Sequence, residues 1–154
     1  MKNTIRIIGI IALLAVIGFS MVACDNGSTD AEGTFTITDI PAAYNGKYAL
    51  FGARDQSGFR IWGTQGDDAS GNMILTKINN GKAVIPLEDS STWETYKGND
   101  TFITNWSANQ GVWVAIYGTE TIFNLDAPRL DMASFASVKF LKGSAKKSWN
   151  DRLR

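Results

Sequence analysis

The chain has no histidine and a single cysteine among its 154 residues. Without an imidazole there is no side-chain base that titrates near neutrality unperturbed, no Ser-His-Asp triad and no His-containing zinc site. One cysteine cannot close an internal disulfide, so the fold must stand on packing alone. Neither GxGxxG nor GxxxxGK[ST] occurs, which removes the glycine-rich phosphate cradles. Fifteen basic side chains balance fifteen acidic ones, so charge gives no general case for nucleic acid binding. These gaps set the expectation of a non-enzymatic protein that holds no metal and no cofactor.

One apolar run is long. Lys2 and Arg6 precede residues 7–19, IIGIIALLAVIGF, in the order of a charged n-region and the short h-region of a bacterial export signal. Extended to Ala23 and interrupted only by Ser20, the run reaches the lower edge of what crosses a hydrocarbon core of about 30 Å, which leaves an uncleaved anchor open. Residues 21–24, Met-Val-Ala-Cys, resemble the lipobox of bacterial lipoprotein precursors, with Met21 and Val22 in place of the commoner Leu and Ser or Ala. That resemblance implies diacylglyceryl alkylation of the Cys24 thiol, cleavage before Cys24 and acylation of the new amino terminus. Two or three acyl chains hold a protein stably, whereas one gives only marginal binding at about 0.8 kcal/mol per buried CH₂. A buried structural cysteine is the competing role, and its place at the end of an h-region argues against it. Asp25 follows, a residue that retains some Gram-negative lipoproteins in the inner membrane; the choice of membrane stays open.

The chain thus divides into a signal peptide (1–23), a lipidated Cys24 with a polar tether (24–32) and a domain (33–154). Eight flexible tether residues give a reach of about 15 Å, which keeps the domain near the headgroups. The 131 residues left after cleavage suffice for one core burying about two-thirds of the unfolded surface. Removing Lys2 and Arg6 leaves 13 basic against 15 acidic residues, a formal charge of −2. Residues 139–154 carry six basic side chains, Lys139, Lys142, Lys146, Lys147, Arg152 and Arg154, against Asp151. A basic end can meet anionic headgroups. Its commoner meaning is an edge hairpin whose lysines block strand addition.

From Gly33 the apolar period becomes two. Thr34-Phe35-Thr36-Ile37-Thr38 reads as a half-buried strand presenting Phe35 and Ile37 to a core, ended by Pro41. Further strands are expected at 47–53, 59–63, 72–78, 82–87, 92–97, 112–117, 121–125, 137–141 and 145–149. Asn80-Gly81 and Gly143-Ser144 are the expected tight hairpin turns, because both tolerate positive φ. Asn45-Gly46 signals a third turn and residues 98–100 a longer one. Only MASFA, residues 132–136, suits a helical turn. Eight to ten short strands at this spacing predict an all-β antiparallel sandwich, with a small barrel as the alternative.

GTFTITDIPAAYNGKYALFGA (residues 33–53), GKAVIPL, TYKGNDTF and the closing SVKFLKGSAKKSW resemble a family of small spirochaete-type bacterial lipoproteins that join a lipobox to one or two β-rich domains. The resemblance spans most of the domain. It implies architecture and a lipid-anchored place in the cell envelope, and brings no activity and no functional residue.

Four features invite a chemical reading. Ser144-Ala145-Lys146-Lys147 matches the S-x-x-K nucleophile motif, but its S-D-N and K-T-G partners are missing and a hairpin is expected there. Asp67 and Asp68 could contribute to a glycosidase pair, which needs two carboxyls about 5 to 9 Å apart, although a solvated turn is the plainer reading. The loop at 66–72 offers oxygens at alternating positions, as a calcium loop does, yet lacks the terminal glutamate of an EF-hand. Finally, aromatic rings exposed on a sandwich face are how many carbohydrate-binding modules stack on sugars. If Val112, Val114 and Ile116 point inward, alternation puts Trp113 and Tyr117 together on the opposite face, and Trp62 alternates likewise against Ile61 and Gly63. Packing of these rings in a second layer is the favoured alternative, since large aromatics are highly buried on average. The expected function is a lipid-anchored interaction or structural module whose partners are the membrane, through lipid on Cys24, and an envelope protein or glycan; the alternative is a ligand-binding, possibly carbohydrate-binding, module using Trp113, Tyr117 and Trp62.

Overall fold

The computed structural model describes residues 33–54, 58, 60–88, 101–105 and 111–153. Cys24, the tether, the expected strand at 92–97 and the turn at 98–100 lie outside the described residues. Among the described residues twelve strands run in chain order: β1 (Thr34–Thr38), β2 (Tyr48–Arg54), β3 (Arg60–Gly63), β4 (Met73–Ile74), β5 (Thr76–Lys77), β6 (Ala83–Pro86), β7 (Thr101–Asn105), β8 (Val112–Tyr117), β9 (Thr121–Ile122), β10 (Arg129–Phe135), β11 (Ser137–Leu141) and β12 (Ala145–Ser148). Helix is confined, among the described residues, to two single turns of 3₁₀ type, Ala42–Tyr44 and Trp149–Asp151.

The strands form an all-β sandwich rather than a closed barrel. One sheet has the order β12-β1-β6; the other has the order β10-β8-β2-β3, with β5 sharing the β3 edge of β2. Two strand pairs, β11-β7 and β4-β9, complete it. The core between the sheets collects alternate residues from facing strands: Phe35 and Ile37 of β1, Ala83 and Ile85 of β6, Ala49 and Phe51 of β2, and Val112, Val114 and Ile116 of β8. Phe35 stacks on Phe51 at 4.2 Å between ring centroids, and Phe140 meets Phe51 edge-on at 6.0 Å. Such pairs add about 0.5–1.5 kcal/mol beyond the area they bury. The segment after β6 ties the layers together, since the Leu87 N–H donates to the Gly33 carbonyl and the Glu88 N–H to that of Trp62, each at 2.8 Å.

Several expectations need correction. The twelve described strands outnumber the expected ten at most because β7 and β10 lie where no strand is expected and the 72–78 segment breaks at Leu75. That residue turns into a second apolar cluster and donates its N–H to the Glu120 carbonyl at 2.8 Å. The helical turn expected at MASFA is the end of β10, paired with β8 from Met132↔Ala115 to Phe135↔Val112. Ala133 and Phe135 alternate into the core there. Nor is the pairing wholly antiparallel, for β12 runs parallel to β1. β1 is therefore a central strand, and its threonines Thr34 and Thr36 are buried as well as Phe35 and Ile37.

The turns follow backbone chemistry. Asn80-Gly81 has φ of 50° and 70° and joins Asn79 to Lys82 by two reciprocal bonds of 2.9 Å, as expected of a primed turn. The last hairpin turns one residue earlier than expected. Lys142 and Gly143 hold the positive φ, 50° and 79°, and Ser144 begins the returning strand.

Candidate functional site

Alternation on β8 places Trp113, Ala115 and Tyr117 on the face of the larger sheet that points away from the main core. This face is not bare. Leu50, Leu75, Ala115, Tyr117 and Ile122 are buried in a second cluster, with Trp113 and Leu125 packed against it. The β4-β9 pair and the loop after β9 supply its cover. Beyond that cover, toward the far ends of β2 and β3, the face opens into a concavity of about 420 Å³. Trp62, Trp113 and Tyr117 all line it, so three rings singled out by alternation meet in one place.

Their exposure differs. Trp62 and Trp113 are half-buried, whereas Tyr117 is only 1 % exposed and forms part of the floor. Burial pushes the Tyr117 phenol up; nearby Arg129 works against that and Asp126 with it. The ring is therefore a neutral part of the floor with a polar tip.

The tryptophans are positioned by a glycine. Gly52 is the register partner of Trp62 on β3 and of Trp113 on β8, so the three form one row across the sheet. A Cβ on Gly52 would fall inside the Trp113 indole, against its Cζ2, Cε2 and Cη2 atoms. The ring consequently lies over the bare backbone of β2, a close approach that only glycine permits in a strand interior. Trp62 meets Trp113 edge-to-face, with centroids 5.7 Å apart and planes at 62°.

Three arginines complete the lining, and sequence reasoning missed all of them. Arg54 and Arg60 are direct cross-strand partners, one row beyond Gly52 and Trp62 on the same face. They fell outside the reading because the expected strands placed Arg54 just beyond a boundary and assigned Arg60 no face. Arg129 reaches the site through a β-bulge. The register of β10 on β8 shifts between Arg129 and Asp131, which sets Arg129, rather than Leu130, opposite Tyr117. Bulges re-aim side chains in this way beside functional sites. Asp126 is the single carboxylate among the described lining residues.

Trp62 also borders a neighbouring concavity of about 460 Å³, whose lining includes Asp67, Glu88, Thr64 and Met73. Burial pushes the Glu88 carboxyl up, opposed by a hydrogen bond from the Trp62 backbone. The other candidate residues are structural. The Asp68 carboxylate accepts the Ser70 N–H at 2.8 Å and both the N–H and the side-chain amide of Asn72 at 2.9 Å, which holds it below the usual carboxylate range. Those oxygens close the 68–72 turn. Ser144 and Lys147, three positions apart on extended backbone, point to opposite faces and cannot act together as the S-x-x-K chemistry requires. Lys146 is exposed on β12, the edge of its sheet, where it serves as an edge guard. No group of three or more metal-ligating side chains occurs among the described residues, and no described helix is long and apolar enough to cross a membrane.

Comparison with known protein families, curated proteins and solved structures finds no match to the chain.

Proposed function

We propose that this protein is a non-enzymatic binding module of the bacterial cell envelope, tethered by lipid on Cys24, whose ligand is a glycan seated on Trp62 and Trp113. The observation that carries the reading is the convergence of two half-buried indoles, a buried tyrosine and polar side chains in one concavity on a sheet face. A concave, largely apolar surface with a few convergent polar groups is the usual form of a small-ligand site. Flat indoles suit the C–H faces of sugar rings. The lipobox-like Met21-Val22-Ala23-Cys24 and the polar tether support the anchored location.

Tryptophan fluorescence during titration with soluble oligosaccharides, neutral and acidic, tests the site. A saturable change that Trp113→Ala removes, while the variant still melts cooperatively, is the expected result. Silence across the panel would reduce the rings to packing and leave a structural or protein-binding module. For the anchor, cells fed radioactive fatty acid should label the protein and not its Cys24→Ala variant; label on the variant would overturn the assignment.

A second reading rests on Asp67 and Glu88 beside Trp62. Glycoside hydrolysis uses two carboxyls, one of them held protonated by its surroundings. New reducing ends from a bound oligosaccharide, lost in Glu88→Gln, would convert the binding module into a hydrolase.

A further inference from the structure

The charges around the aromatic concavity narrow the ligand further. Arg54 and Arg60 stand directly opposite each other on β2 and β3. The Arg54 N–H points the other way, donating to the Gly111 carbonyl at 2.9 Å, so its pairing with Arg60 is of the non-hydrogen-bonded kind. Side chains come closest in that arrangement, with Cα atoms about 4.5 Å apart. Two cations so placed repel, and like charges in direct register cost a sheet stability. Asp126 does not resolve this. It acts on Tyr117 together with Arg129, at the opposite end of the lining from the Arg54–Arg60 row. The described lining of the concavity therefore carries a local excess of two positive charges, three arginines against Asp126.

Resting on the glycan reading above, we propose that the ligand is an acidic saccharide, with a carboxylate held between Arg54 and Arg60 and the adjoining ring stacked on Trp62 and Trp113. Paired guanidinium groups match a carboxylate in both charge and geometry. The repulsion between the arginines then has a compensation in the bound state that the free protein lacks. A single-stranded nucleic acid would also use arginine and indole. It calls instead for a cationic groove tracking successive phosphates, and these arginines converge on one concavity.

Tetragalacturonic acid and its methyl ester form a matched probe pair on the same rings, the ester replacing each carboxylate charge with a neutral methoxycarbonyl group. Titration by calorimetry should show the acid binding about tenfold or more tightly than the ester, as charge-assisted hydrogen bonds imply. The preference should shrink between low and high salt, because the arginines are solvent-exposed. In the double variant Arg54→Gln/Arg60→Gln the preference should disappear while ester binding remains, and the melting temperature should hold or rise as the repulsion is removed. Equal binding of acid and ester to the unaltered protein overturns the acidic ligand and leaves the glycan reading intact. Binding of neutral oligosaccharides alone does the same. Failure of every saccharide removes both readings, and tighter binding of an octathymidylate replaces the saccharide with a nucleic acid.

Discussion

Gly52 offers the sharpest test of how the fold makes the site, because two opposed effects fix the sign of one substitution. In a strand interior, Gly→Ala ordinarily stabilises by about 0.5–1 kcal/mol, through the entropy that glycine loses on folding. Here the new Cβ meets three atoms of the Trp113 indole closer than 3.0 Å, and the ring is boxed by the second cluster beneath and Trp62 beside it. Overpacking of that kind costs about 1–3 kcal/mol. The clash outweighs the entropy gain, and Gly52→Ala should destabilise by about 1 kcal/mol, lowering the melting temperature by about 4 °C. Removing the ring reverses the sign. In a Trp113→Ala background, Gly52→Ala should stabilise by about 0.5–1 kcal/mol, giving a coupling of about 1–3 kcal/mol in a double-mutant cycle. Urea denaturation of the four proteins measures the cycle, and tryptophan emission reports whether the ring has moved. A stabilising Gly52→Ala with Trp113 intact, or additivity of the two changes, would refute the stacking of Trp113 on Gly52.

Three further outcomes follow from the packing and the titrating groups. Phe51→Ala removes the ring stacked on Phe35 and met by Phe140 at the centre of the core; chemical denaturation should show a loss of about 3–5 kcal/mol, a large fraction of a typical domain's stability. Glu88 has its carboxyl raised above 4.5 by burial. The stability it supports is complete below that ordinary value and is lost as pH rises through the raised one, so Glu88→Gln should flatten the fall in melting temperature over that window. Asp68 is the opposite case, lowered from 3.8 by hydrogen bonds from Asn72 and Ser70. Its contribution is present above 3.8 and lost as pH falls through the lowered value. Asp68→Ala should therefore abolish that acid-range dependence and speed amide exchange at Ser70 and Asn72, while millimolar calcium leaves the melting temperature of the unaltered protein unchanged.

Much of this architecture is local and so could be read from the chain. Period-two alternation marked β1 and β8, and Asn80-Gly81 marked its turn, because positive φ at two successive residues has few chemical solutions. Alternation also put Trp113 and Tyr117 on one face and Trp62 on its own outward face. It failed where strands are short or their apolar faces interrupted. β7 lacks a clean alternating signal, and β10 alternates in its first half with Leu130 and Met132 exposed, then buries Ala133 and Phe135 in the other phase, after a bulge that alternation cannot anticipate. The S-x-x-K and Asp67-Asp68 motifs show the converse: spacing alone suggested chemistry that extended backbone and an internally satisfied carboxylate do not support.

By itself the sequence determined the all-β class, the Asn80-Gly81 turn, the absence of imidazole and thiol-pair chemistry, and the side of β1, β3 and β8 on which the aromatics stand. Tertiary structure decided which strands are neighbours, and hence that Trp62, Gly52 and Trp113 share a row and that Arg54 faces Arg60. It also decided that the second face of β8 is covered in part, leaving Tyr117 as a floor and the indoles as walls. The reason is physical. Side-chain direction is set by the covalent period of a strand, whereas register and neighbour are set by contacts between segments far apart in the chain, which alternation does not encode.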